Sequence, residues 1–138
     1  MIEFSLPGEP QGKGRARSGL NGAHYTPDKT RAYERAIKWR ALEAMRGTPI
    51  MRGALALYLV AYFPVPKGWS KHKQQMAING AIYPTKKPDG DNILKAWKDA
   101  MNGVVYVDDS QVVKAVVEKK YGAEPMVTVK VGEIGGAS

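Results

Sequence analysis

An almost uninterrupted apolar run, GALALYLVAYF at residues 53–63, constrains the fold of this chain more than any other segment. The run falls far short of the ~20 apolar residues that are needed to cross a bilayer. Its Tyr, Val and Phe residues favour a strand that is buried on both faces and therefore lies in the centre of a sheet. A buried helix is the competing interpretation, because a short apolar run has no diagnostic period.

The rest of the chain predicts short strands and amphipathic helices around that central strand. The predicted elements are, in chain order, a strand at 2–6, a helix at 27–46, the strand at 53–63, a short helix between Ser70 and Gly80, a helix at 92–102, and strands at 111–121 and 126–132. We expect the last two strands to form an antiparallel hairpin. This order, β-α-β-α-α-β-β, predicts an α+β fold with a mixed β-sheet packed with two main helices. We expect one domain over residues 1–138.

Two segments lack any hydrophobic period. Residues 7–27 form a basic, glycine-rich loop that carries Lys13, Arg15 and Arg17. This loop is interpreted either as a phosphate-binding loop or as a disordered surface loop. The tail at 133–138 is predicted to be frayed.

The charge of the chain narrows the class of partner. A formal net charge of +8 and a pI near 9.7 favour a polyanionic partner, most commonly nucleic acid. The alternative is that the lysines only keep the protein soluble. There is no cysteine, which excludes disulfides and thiolate metal sites. With no apolar segment of membrane-spanning length and no secretion signal in the sequence, we expect a cytoplasmic protein.

Five of the thirteen acidic residues lie within residues 86–111 of this basic chain: Asp89, Asp91, Asp99, Asp108 and Asp109. Hard divalent cations such as Mg²⁺ prefer oxygen ligands and often use one or two carboxylates with substrate phosphate. The cluster therefore suggests a metal site that faces nucleic acid. Asp99 is assigned to the helix surface.

Each part of this cluster also has a structural explanation. Asp91 is a suitable N-cap for the helix at 92–102, and Asp108-Asp109-Ser110 is an ordinary turn sequence. Lys95 is either an i,i+4 partner of Asp91 or a cation that binds a phosphate. A single site also requires that residues 104–107 run back along the helix as a strand.

The pattern of these residues resembles the RusA family of Holliday-junction resolvases. The matching residues are Pro88-Asp89-Gly90-Asp91-Asn92, then Lys95 and Asp99, then Asp108-Asp109-Ser110-Gln111-Val112-Val113 and a following lysine. The resemblance is strongest over residues 86–120, and the helix start at 25–27, preceded by Arg15 and Arg17, is a weaker match. Gly90 departs from the larger apolar residue that is usual between the two aspartates.

The resemblance implies a homodimeric α+β endonuclease, of a kind common in bacteria and prophages, that acts in DNA recombination and repair. Such an enzyme would use Mg²⁺, with Mn²⁺ as a substitute, to place paired nicks across a four-way DNA junction. It also implies that Asp89, Asp91 and Asp109 are essential carboxylates and metal ligands, and that Lys95 is catalytic. Asp108 is a further candidate ligand, or only holds the turn. We expect DNA contacts from Lys13, Arg15, Arg17, Lys86 and Lys87.

Two other functions fit the sequence. One is a non-catalytic basic DNA-binding module in which the acidic residues serve only as caps and turns. The other is a nuclease for different branched DNA, such as forks or flaps, or for RNA. Substrate shape is read by loops and dimer geometry that the sequence does not specify.

Overall fold

The computed structural model describes residues 1–14, 17–18, 24–25 and 28–135. The described elements are β1 (Ile2–Pro7), β2 (Arg17–Ser18), β3 (His24–Tyr25), α1 (Asp28–Ala44), β4 (Leu55–Pro64), α2 (Lys71–Ile78), α3 (Gly90–Met101), a 3₁₀ turn (Asp109–Gln111), β5 (Val112–Gly122) and β6 (Met126–Glu133). Strands β2 and β3 pair within the segment that was predicted to be a loop. No helix in the described residues is long and apolar enough to span a membrane.

The apolar run forms β4, which is an interior strand of a mixed four-stranded sheet, as predicted. The strand order is β1-β6-β4-β5, with β4 parallel to β5 and antiparallel to β6. The prediction of burial on both faces is wrong. Alternate residues from Leu55 to Phe63 are buried, whereas Tyr58 on the other face is 36% exposed. The sheet therefore covers its core on one face only, and the helices lie on that face.

The predicted hairpin between the last two strands is wrong. Strands β5 and β6 follow each other in sequence, but β4 lies between them and pairs with both. The connection at 123–125 thus spans two inter-strand spacings, about 10 Å, which three extended residues can bridge. Strand β4 lies between β5 and β6 because it is the most apolar strand and is buried in an interior position. The charged strand β5, with the sequence KAVVEKK, lies at an edge of the sheet.

Helices α1 and α3 pack against each other and form the second layer. Helix α3 is strongly amphipathic and buries Ile93, Ala96, Trp97, Ala100 and Met101. The Trp97 ring lies 5.7 Å from the Phe4 ring of β1, and its Nε1 donates a hydrogen bond to the Tyr33 hydroxyl at 3.3 Å. These contacts fix α3 to both the sheet and α1. The result is a single α+β domain, as predicted.

The short helix α2 begins where the sequence predicts. Ser70 caps it by accepting a hydrogen bond from the Lys73 amide, and the helix ends before Gly80. The preceding Trp69 ring packs edge-on against Tyr121 of β5 at 5.4 Å. Trp69 therefore anchors this segment to the core. The last strand runs to Glu133, and the Ile134 amide donates to the Ala54 carbonyl, so the ordered chain extends past residue 133. Residues 136–138 lie outside the described residues.

Candidate active site

Two aspartates flank the first residue of α3. Asp89 is the N-cap of the helix, and its Oδ1 accepts a hydrogen bond from the Asn92 amide at 2.8 Å. The sequence pointed to Asp91 as the cap, but Asp91 lies within the first turn and is exposed. A helix N-terminus carries a partial positive charge that stabilises nearby carboxylates. Both side chains therefore lie at the positive end of the helix.

Gly90, between the two aspartates, is set by packing against β5. A Cβ at this position would lie 3.2 Å from Cγ1 of Val117, which is tighter than ordinary van der Waals contact. The larger residue that is usual at this position of the family motif would displace Val117 or the start of α3. Gly90 thus lets the N-terminus of α3 lie directly on the sheet.

Both aspartates line an open cleft with a volume of about 930 Å³. The cleft is formed by residues 10–14, residues 29–30 at the start of α1, and residues 87–89, 91, 92 and 95. Four lysines line it, namely Lys13, Lys29, Lys87 and Lys95. Lys95 lies one helical turn after Asp91 and is exposed. The cleft therefore combines two carboxylate groups with cations that suit a phosphate.

Hydrogen bonds hold the segment at 11–14 against α3 and α1, where it forms one wall of the cleft. The Lys13 amide donates to the Asn92 carbonyl, and Asn92 Nδ2 donates to the Lys13 carbonyl at 3.0 Å. The Gly14 amide donates to Thr30 Oγ1 at 2.9 Å. A Cβ at Gly12 would lie 2.3 Å from Asn92 Nδ2, so only glycine allows this approach. The first part of the glycine-rich segment thus has a defined structure.

Lys13 forms two ion pairs within the protein. Its Nζ lies 2.6 Å from Glu34 Oε1 and 2.9 Å from Asp99 Oδ2. Burial lowers the pKa of Lys13, but the hydrogen bonds and charges of Glu34 and Asp99 outweigh this effect and raise the pKa. The assignment of Asp99 to the plain helix surface is therefore wrong. Lys13, Glu34 and Asp99 join the cleft wall to α1 and α3.

Asp108 serves as a cap in this structure. Its Oδ2 accepts a hydrogen bond from the Ser110 amide at 3.0 Å, and Gln111 Oε1 accepts from the Asp108 amide at 2.9 Å. The hydrogen bonds from Ser110 lower the pKa of the Asp108 carboxyl. Gln111 Nε2 also donates to the carbonyls of Met51 and Gly53. The Asp-Asp-Ser sequence is thus the turn that leads into β5.

Asp109 lies near the opposite end of α3 from Asp89 and Asp91. The Tyr106 hydroxyl donates to the Lys98 carbonyl at 2.7 Å, which holds the segment before the turn beside the last turns of α3. Burial raises the pKa of the Tyr106 hydroxyl, and the charges of Asp109, Asp99 and Asp108 raise it further. The aspartates are thus divided between the two ends of the helix.

The chain does not itself bring all three candidate ligands together. Helix α3 has twelve residues, which corresponds to about 18 Å. Residues 104–107 do not form the returning strand that a single site requires: Val104 and Val105 lie in a turn in which the Val104 amide donates to the Met101 carbonyl, and Tyr106 forms isolated bridges to Met51 and Asn102. Within the described residues, no group of three His, Cys, Asp or Glu side chains is placed to hold a metal ion.

The other predicted DNA contacts are scattered. Lys87 lines the cleft, but Lys86 does not, and its carbonyl accepts a hydrogen bond from Lys119 Nζ at 2.7 Å. Arg15 lies outside the described residues, and Arg17 belongs to the short strand β2. Lys29 and Thr30 line the cleft but were not predicted as site residues. The feature of the sequence that could have indicated these two residues is their position in the first turn of a basic helix.

Two comparisons with known proteins agree with the resemblance seen in the sequence. The sequence model of the family described as Endodeoxyribonuclease RusA matches residues 7–132. The chain is also similar to an uncharacterized protein, YqaN, of Bacillus subtilis (strain 168). The two are 39% identical over 140 residues, and the alignment covers 96% of each chain. This chain belongs to the RusA family of endodeoxyribonucleases.

Proposed function

We propose that this protein is a Mg²⁺-dependent endodeoxyribonuclease that resolves four-way DNA junctions by paired nicks, acting as a homodimer in the cytoplasm during recombination and repair. The observation that carries the proposal is the cleft at the N-terminus of α3. It places Asp89, Asp91 and Lys95 on one surface, in a chain that belongs to an endodeoxyribonuclease family.

The donor groups of the cleft fit a hard divalent cation. Asp89 uses Oδ1 for the helix cap, which leaves its second oxygen free, and Asp91 is exposed beside it. Two carboxylates with water and substrate phosphate form a common set of Mg²⁺ ligands, and Mn²⁺ accepts the same oxygen donors. When bound, the cation would supply Lewis-acid stabilisation of the charge that develops on the scissile phosphate.

The protein's own groups would bind and orient the phosphodiester. Lys95 would donate hydrogen bonds to the phosphate oxygens and stabilise their negative charge in the transition state. Lys29 and Lys87 border the same cleft and would hold neighbouring phosphates. Lys13 would act indirectly, because its ion pairs with Glu34 and Asp99 hold the wall of the cleft.

A homodimer offers a way to add Asp109 to this cleft. Strand β5 is an edge strand with no strand partner on its outer side among the described residues, and Val113 and Val116 on it are exposed. An edge strand presents unpaired backbone N–H and C=O groups that can pair with a strand of another chain. If two copies pair through β5 about a two-fold axis, the strands run antiparallel, and the start of one lies beside the far part of the other.

This pairing would bring Asp109 of one copy towards α3 of the other. Asp109 lies three residues before the start of β5, whereas Gly90 lies against Val117, the sixth residue of that strand. In the register that pairs Val113 with its own copy, Asp109 of one copy would lie opposite Val117, and therefore near Asp89 and Asp91, of the second copy. We propose that each of two active sites takes Asp89, Asp91 and Lys95 from one copy and Asp109 from the other. Asp108 would only support the turn.

The function is tested with synthetic four-way, forked and linear DNA, each incubated with the protein in Mg²⁺ or in excess chelator. We expect paired, symmetric nicks in the four-way junction in Mg²⁺ and no nicks in chelator. Equal nicking of forks would redirect the proposal to branched DNA in general. Salt-sensitive binding without nicking of any substrate would contradict the proposal and support a DNA-binding module.

A further inference from the structure

The outward side of α1 carries an unusual combination of side chains. Arg31, Arg35, Trp39 and Leu42 recur at intervals of four, four and three residues, so they form one stripe along the helix, and Arg46 lies in the turn just after it. We call these five residues the α1 stripe. The stripe lies opposite the buried residues of α1, which are Tyr33, Ile37 and Ala41. Trp39 is 67% exposed and Leu42 is 51% exposed. A large aromatic side chain on this face therefore contributes little to the core.

The surroundings of Trp39 are mainly basic. Arg35 precedes it by one helical turn, Lys38 is exposed beside it and Arg46 follows in the turn after α1, whereas one exposed carboxylate, Glu43, lies one helical turn after Trp39. In the part of the chain that the structure describes, no carboxylate lies within 4.0 Å of these three cations, whereas Arg31 pairs with Asp28. Basic side chains around an exposed aromatic ring suit a polyanion that also has flat apolar groups, which describes nucleic acid.

The charges argue against a second copy of this chain as the occupant. In a two-fold symmetric contact the same patch meets itself. Arg35, Lys38 and Arg46 would then face their own copies, and the repulsion between like charges in an interface opposes association. The apolar part of the α1 stripe, Trp39 and Leu42, is too small to offset this repulsion.

The α1 stripe belongs to the same helix as one border of the cleft. Lys29 and Thr30, in the first turn of α1, line the cleft. Trp39 follows Lys29 by ten residues, or about 15 Å along the helix axis. A stacked strand advances about 3.4 Å per nucleotide, so this distance corresponds to about four nucleotides. A DNA strand that leaves the cleft along α1 would therefore pass Trp39.

Only an unpaired base exposes a face on which Trp39 can stack, because the bases within a duplex are covered on both sides. We propose that the α1 stripe binds a single-stranded or unpaired segment of DNA next to the cleft. Trp39 stacks on a base, and Arg35 and Arg46 bind phosphates. This inference rests on the proposed action on branched DNA and adds how the branch is recognised.

The test compares binding of a short oligothymidylate with binding of a fully paired duplex of equal length, both in chelator so that no cleavage occurs. Fluorescence anisotropy of labelled DNA gives each dissociation constant. We expect Trp39→Ala to weaken binding of the oligothymidylate about tenfold and to change binding of the duplex less than about twofold. Ile78→Ala removes a similarly exposed apolar side chain from α2 and serves as the matched control, with no change expected.

The phosphate contacts are tested separately through salt dependence. We expect Arg35→Gln to reduce the slope of log K against log salt for the oligothymidylate by about 0.7, the value for one phosphate contact on a single strand.

The proposal is overturned if Trp39→Ala binds the oligothymidylate as wild type does. It is also overturned if that variant changes the oligomeric state in sedimentation and leaves DNA affinity unchanged, which would assign the α1 stripe to a protein contact. Selective loss of binding in a protein that nicks no DNA would support the α1 stripe and contradict only the proposed nuclease activity.

Discussion

Asp91→Asn is expected to abolish nicking of a four-way junction in Mg²⁺ while junction binding is retained. The substitution keeps the shape of the side chain and removes the charge that would hold the cation. Loss of groups that only orient metal ligands costs about 10–100-fold in metal affinity or activity, so loss of a direct ligand should reduce the rate by at least about 100-fold. Binding should be unchanged or slightly tighter, because one negative charge is removed near the phosphates.

The matched control is Glu124→Gln, which removes the same charge from an exposed position between β5 and β6. It should nick at the wild-type rate. Circular dichroism and melting curves would confirm that the Asp91→Asn protein is folded. A normal nicking rate for Asp91→Asn would show that this carboxylate does not hold the catalytic metal, and the proposed site would be wrong.

Trp97→Ala is expected to have the largest effect on stability. Trp97 is fully buried and links α3 to β1 and α1 through Phe4 and Tyr33. Replacing a buried tryptophan with alanine costs about 3–5 kcal/mol, against about 5–15 kcal/mol for a whole domain. We therefore expect a large fall in the denaturant midpoint. Because α3 carries Asp91 and Lys95, activity should fall as the helix loosens.

Trp39→Ala is the natural control for this experiment, because it makes the same substitution on an exposed helix face. It should change the free energy of unfolding by less than about 0.5 kcal/mol. Denaturant unfolding curves of the two variants measure the difference. Similar unfolding midpoints for the two variants would contradict the described packing of Trp97.

The sequence predicts most elements of this fold but not how the strands are arranged. The period of α3 and the apolar run of β4 identify both elements, because burial selects apolar residues along one helix face and along a central strand. The arrangement of β5 and β6 depends on a competition for pairing with β4. Two alternating strands joined by a short turn suggest a hairpin, and nothing local indicates that a third strand lies between them.

In the candidate site, too, residues that are close in sequence can be predicted, whereas contacts between residues far apart in sequence cannot. Asp89, Asp91 and Lys95 are close in sequence, and the helix start that joins them is visible as a motif. Lys13 contacts Glu34 and Asp99 across separations of 21 and 86 residues, and no local pattern indicates that its charge is already satisfied. The position of Asp109 depends on a turn whose direction is set by Tyr106 and α3. Whether Asp109 contributes to an active site therefore depends on how two copies of the chain assemble.

If each active site joins the cleft of one copy to Asp109 of a second copy, mixing two inactive variants should restore nicking. Asp91→Asn and Asp109→Asn are each expected to be inactive alone. Random exchange of subunits makes half of the dimers mixed, and each mixed dimer has one intact site, so nicking should return to about a quarter of the wild-type level. These nicks should be single and unpaired. A mixture that remains as inactive as its two components would contradict the shared site.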